Sequence, residues 1–191
     1  MARNTVKAGL TPYRMKNGDV FNGGREQFYI ADAYATPLGE GDVVVVTDGV
    51  VTAAANTTAG VSGVFAGCKY IDPVTKQPVE SGYYPGGITN GGQLEGQARM
   101  LAYVYVGEDL TFLAKGTSTL AASTAGELHA VTRGTPSAIM KRSGSTIAQA
   151  VSADPATAVQ VQIRSFPYIA GTKPGDDPTV VEVTLVAPKL V

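Results

Sequence analysis

Along this chain the apolar positions follow a period of two rather than the 3.6 of a helix, which is the pattern of strands with one buried face. Asp42-Val43-Val44-Val45-Val46-Thr47 is a β-branched run entered through Gly39 and Gly41. Asp48-Gly49 closes it and Val50-Val51-Thr52 follows. A type I′ turn needs positive φ at both central residues, which Asp and Gly tolerate, so this stretch predicts a hairpin. Val61 to Ile71 predicts a strand, tightly curved where Gly63 and Gly67 flank Phe65. Met100 to Val106 is apolar on both faces, which predicts a strand buried on both sides. Gly107-Glu108-Asp109 turns the chain and Leu110 to Ala114 returns. Val159 to Arg164 alternates as a half-exposed strand, and Thr179 to Val186 is a further strong strand. Helical signals are weak; the best windows are the Ala-rich Ala122 to Val131 and Thr146 to Val151. Short strands at close spacing with Gly-rich turns predict a mainly β protein, a barrel or sandwich with little helix.

Two stretches break the pattern. Residues 1–25 carry Arg3, Lys7, Arg14, Lys16 and Arg25 against only Asp19, and lack periodic apolar positions. They read as an extended basic N-terminal arm ahead of a β-rich domain over 26–191, whether a disordered solubilising terminus or a strap that orders on a partner. A division of that domain into two β subdomains stays open. Residues 72–97 hold three prolines and two Gly-Gly pairs and read as a long irregular loop. Tyr83 and Tyr84 lie in it, either offered to a partner or packed back on the domain's own core.

Composition narrows the function. Charged residues make up 16% of the 191 positions, below the quarter or so usual for soluble domains, which suits a surface that is desolvated against partners. A net charge of -1 gives no overall attraction for nucleic acid, and no apolar run approaches a membrane span. Met1-Ala2-Arg3-Asn4 has neither an apolar core nor a cleavage site, so no secretory leader is expected, and a lone Cys68 allows no internal disulfide.

Candidate chemistry is sparse. His129 is the only histidine and has no nucleophile elbow beside it. It reads as an element residue, and Cys68 as a small buried hydrophobe. The acidic pairs Glu108-Asp109 and Asp176-Asp177 sit at turns, point to opposite sides, and lack EF-hand spacing. There is no Walker A loop and no Gly-x-Gly-x-x-Gly. The reading is a non-enzymatic protein with no catalytic residues, no metal and no cofactor.

Thr36-Pro37-Leu38-Gly39-Glu40-Gly41-Asp42-Val43-Val44-Val45 through Gly60 to Gly67, and Lys141 to Val151 through Val159 to Ile163, resemble the small β-barrel head-decoration (cement) proteins of tailed phages. Gly63 to Asp72, Tyr83-Tyr84-Pro85 and Ala102-Tyr103-Val104-Tyr105 are similar to a group of uncharacterised phage structural proteins. The resemblance spans about half the chain, and those barrels are shorter and lack the 72–97 stretch. It implies a homotrimer on the outer capsid surface of a virion, made in the host bacterial cytoplasm. There it would bind the major capsid protein and bridge neighbouring capsomers against internal DNA pressure. On that reading Arg3, Lys7, Tyr13, Arg14 and Lys16 meet the capsid, Tyr83 and Tyr84 form a partner-contact loop, and Tyr103 and Tyr105 lie at the subunit interface. The alternatives are a carbohydrate- or cell-surface-binding module of a phage fibre, a head-tail or tail component, and a small β-barrel hydrolase relying on His129. The absence of Trp speaks against the first of these.

Overall fold

The computed structural model describes residues 8–54, 61–89, 100–151, 160–167 and 172–186. Within them lie fourteen strands: β1 Thr11–Met15, β2 Glu26–Ile30, β3 Leu38–Gly39, β4 Val43–Thr47, β5 Val50–Ala53, β6 Gly63–Ile71 and β7 Pro78–Ser81. The chain continues through β8 Tyr83–Tyr84, β9 Met100–Tyr105, β10 Leu110–Lys115, β11 Leu128–Thr132, β12 Thr146–Val151, β13 Gln160–Ser165 and β14 Val180–Leu185. Strands β4-β5-β2-β9-β6 close into a five-stranded barrel through the β4–β6 pairing, with β7 flanking β6. The second sheet runs β1-β10-β14-β13-β11-β12 and curls until Ile147 of β12 bridges Gly116, just past β10. The chain is therefore mainly β, as the period-two pattern predicts. Among the described residues no helix is long and apolar enough to cross a membrane.

Two apolar clusters follow from the alternation. One fills the barrel with Ile30, Val44, Val46, Val51, Phe65, Met100, Ala102 and Val104. The other lines the second sheet with Phe112, Ile147, Val161, Ile163, Val181 and Val183, but also takes Val43 and Val64 from the barrel strands and Val61 from the approach to β6. The two sheets thus share apolar contacts. The 43–53 hairpin forms as expected, with Asp48 at φ 51 and Gly49 at φ 76. β6 carries a bulge between Phe65 and Gly67, and a Cβ on Gly63 would sit 2.4 Å from the Tyr105 carbonyl oxygen, so only glycine lets β6 and β9 approach this closely. β9 is covered on both faces, and β13 buries Val161 and Ile163 while exposing Arg164.

Three expectations are corrected. The Ala-rich windows are not helical: only Ala122–Thr124 makes a 3₁₀ turn, while β11 and β12 are strands. Val131 and Ile147 are β-branched and buried, and sheet pairing overrides the helix preference of the alanines. The 72–97 loop is shorter than expected, because β7 pairs with β6 and β8 with β3. Residues 90–97 lie outside the described residues. The arm is not free from Gly9 onward: Leu10 is buried and β1 adds to β10 as an edge strand, a place where Pro12 is tolerated.

The arm docks because its arginine neutralises a carboxylate. Glu182 points outward from β14 yet is buried, and Arg14 holds it with two hydrogen bonds of 2.9 and 2.7 Å. Ser165 donates a further one at 2.5 Å. Burial alone would raise the Glu182 carboxyl, but the Arg14 and Ser165 hydrogen bonds outweigh it and bring it down to about 2 from an ordinary 4.5. A folded value below the unfolded one gives stability that is present above pH 4.5 and lost as pH falls toward 2. Glu182→Gln is therefore expected to be less stable than wild type at neutral pH and to lose less on acidification across that window. Urea midpoints measured down the pH range check this; parallel wild-type and variant curves would contradict it.

Candidate functional site

His129 and Cys68 are both withdrawn from solvent. His129 lies fully buried on β11. Its Nδ1 is 2.9 Å from the Ala148 carbonyl oxygen, which can only accept, so that nitrogen carries the proton. Nε2 faces Glu127 Oε2 at 3.8 Å. Cys68 sits inside the barrel, its thiol 3.6 Å from the Ser81 carbonyl oxygen, and burial pushes it up to about 12, far from a reactive thiolate. Among the described residues no three His, Cys, Asp or Glu side chains gather as metal ligands. Asp176 caps its own turn, accepting from the Lys173 backbone N–H at 2.8 Å.

One polar cluster escaped the sequence reading. Asp42, at the entrance to β4, is fully buried where the two sheets meet. Its carboxylate accepts from Gly39 N–H at 2.9 Å, from Ser145 Oγ at 3.1 Å and from Ser143 Oγ. Arg133 Nη2 stands 3.7 Å away and also donates to the Pro37 carbonyl at 2.7 Å. A Cβ on Gly39 would lie 2.5 Å from the Arg142 carbonyl carbon, so the segments about 39–42 and 142–143 touch through backbone. The partners lie about a hundred residues apart in sequence, and nothing short of the fold brings them together. Buried and held by these donors, Asp42 links the approach to β4 with the approach to β12 across the two sheets.

The sequence-predicted contact residues fall in three places. Arg3 and Lys7 lie outside the described residues. Tyr13 is the extra residue of a bulge between Pro12 and Arg14, which turns its ring outward to 39% exposure. Beside it are exposed Lys16 and Val20, the latter 87% exposed and bridged to Arg14. Arg14 itself is committed to Glu182. Tyr84 is no contact residue: it is buried, stacked 6.2 Å from Tyr34, and donates to the Tyr34 carbonyl at 2.9 Å. Tyr83 is half-buried beneath Lys141, whose Nζ lies 5.3 Å from its ring centre. Tyr103 and Tyr105 are covered by this chain's own residues, Arg25 at 4.4 Å and Phe21 at 5.5 Å.

No protein-family model, curated protein or solved structure matches the chain.

Among the described residues the exposed large apolar side chains are Tyr13, Val20, Tyr29, Val74, Ile139 and Met140, and two features each bring a pair of them together. The first is the β1 edge of Tyr13, Lys16 and Val20. The second, missed in the sequence, is a tight turn between Ser137 and Arg142 that bares Ile139 at 93% and Met140 at 56% exposure. Single exposed aliphatics are ordinary; two adjacent ones at a hydrogen-bonded turn make a candidate contact. The turn's only sequence signal is Ala138-Ile139-Met140 lying between Pro136 and Lys141-Arg142.

Proposed function

We propose that this chain is a structural protein of a tailed-phage virion. It binds the outside of the capsid, bridges neighbouring capsomers and stabilises the head, and it does so as several copies, as in the trimers of the proteins it resembles. The observation that carries the reading is the β1 edge, where a bulge aims Tyr13 outward beside Val20 and Lys16 and the Arg14–Glu182 pair anchors the strand to the body. A rigid aromatic with an aliphatic and a cation alongside suits an acidic, partly apolar partner surface. The inertness of the buried His129 and Cys68 is consistent with a mechanical role. Several weak contacts per assembly, engaged together, hold strongly without any one being tight.

Removing residues 1–16 is a poor test, because it strips β1 and leaves Glu182 buried without Arg14. The better test is Tyr13→Ala with Val20→Asp and Lys16→Glu, all at exposed positions. Cosedimentation with expanded capsids of the parent phage is expected to weaken about tenfold or more while thermal unfolding stays close to wild type. Full-stoichiometry binding by the triple variant would refute this contact face. Failure of the wild-type chain to bind capsids would refute the function.

A further inference from the structure

We infer that the Ile139–Met140 tip of one copy inserts into a groove, walled by Phe21 and Val106, on a second copy of this chain. The inference deepens the multi-copy part of the reading above, and rests on it in that respect alone.

The tip is built to be presented. Ser137 N–H donates to the Arg142 carbonyl at 2.8 Å, and Met140 N–H donates to Ser137 Oγ at 3.1 Å. Lys141 takes a φ of 57, which closes the turn. Its base is held by Arg142, which reaches Glu40 at 3.5 Å and Thr11 at 3.4 Å. A turn already held in place loses little freedom on docking, so its two aliphatic side chains keep most of what their burial yields.

The groove lies between the segment after β1 and the β9–β10 turn, with a volume of about 450 Å³. Its walls are Met15, Phe21, Val106 and Leu110; its rim carries Glu26, Glu108 and Asp109 against Arg25. That arginine is already engaged, stacked on Tyr103 and 3.6 Å from Glu80. An apolar bed with an acidic rim is the complement of an apolar tip followed by the exposed Lys141. Another groove of similar size, about 490 Å³ beside Arg133 and Thr135, is more polar. The acidic, Phe-walled groove is therefore the better seat. Tip and groove are different patches, so the contact is heterologous, and copies joined through it form a ring if the rotation closes and a fibre if it does not.

The test is native mass in solution, with variants at both halves of the contact. The wild-type chain is expected to be multimeric. Ile139→Asp and Val106→Asp are each expected to weaken self-association at least tenfold and to run as monomers. An equimolar mixture of the two should recover a species of two chains and no larger, since one intact tip meets one intact groove. Asp109→Lys should also weaken assembly, and Lys141→Glu added to it should restore part of the loss. Asp109 and Lys141 are both exposed, so that pair stays informative should Val106→Asp fail to fold. A wild-type monomer at every concentration, an unchanged multimer for Ile139→Asp, or a mixture of folded variants that does not pair overturns the inference. Loss of capsid binding by an intact multimer would instead count against the capsid reading and leave this contact standing.

Discussion

Replacing Asp42 with alanine is expected to lower the free energy of unfolding by about 3 kcal/mol, since an orphaned buried donor costs roughly 1 to 3 kcal/mol. The substitution leaves the buried Gly39 N–H, Ser143 Oγ and Ser145 Oγ without the Asp42 acceptor and removes the carboxylate 3.7 Å from Arg133. Asp42→Asn should cost much less, about 1 kcal/mol, because the amide oxygen still accepts and no charge is buried. Burial pushes the Asp42 carboxyl above its ordinary range despite the hydrogen bonds it receives. A folded value above the unfolded one means that this group's contribution is fully present below the unfolded value. It is lost as pH rises through the folded value, the opposite sense to Glu182. Urea unfolding of both variants at neutral pH checks the order; an alanine variant as stable as the asparagine one would show that the cluster does not tie the sheets.

Phe65→Ala is expected to be the more damaging change, at about 4 kcal/mol, the range for emptying a large aromatic from a packed core. Phe65 is fully buried on β6 within the barrel cluster, in register with Val104 of β9 and just ahead of a bulge at Ala66. The same variant reports on how the sheets are coupled. Val43, Val61 and Val64 belong to the second sheet's cluster although barrel strands or their approaches supply them. One shifted transition is therefore expected by both circular dichroism and tyrosine fluorescence. Two separated transitions would mean that the sheets unfold independently.

The architecture was legible wherever the local signal and the final pairing agreed. The Asp48-Gly49 hairpin, the two-faced strand at Met100–Tyr105 and the alternation at Val161–Arg164 needed no long-range information. The errors share a cause. Residues 9–15 look unstructured because Leu10 and Met15 are too few to make a pattern, and the partner that secures them, Glu182, is 168 positions away from Arg14. Ala148 and Ala150 suggest helix, but an edge position in a sheet overrode them. Prolines and glycines around Tyr84 leave a partner-facing position open in the sequence, while its stacking partner Tyr34 lies across a contact that spacing does not reveal. Of the candidate surface, Tyr13 and Lys16 were named from charge and residue type alone. The Ile139–Met140 tip was not, since two aliphatics in a polar stretch read as an ordinary short strand or core position.

The position of β14 within its sheet bears on how the molecule is made. It lies between β10 and β13 and is the last described strand to be synthesised. Ribosomal order thus delivers the keystone after the stones on either side of it. Until it arrives, β10 and β13 each carry a bare row of amide and carbonyl groups, and Arg14 has no carboxylate to close on. The nascent chain therefore passes through an interval in which its second sheet is split down the middle, and any copy released early emerges with two adhesive edges.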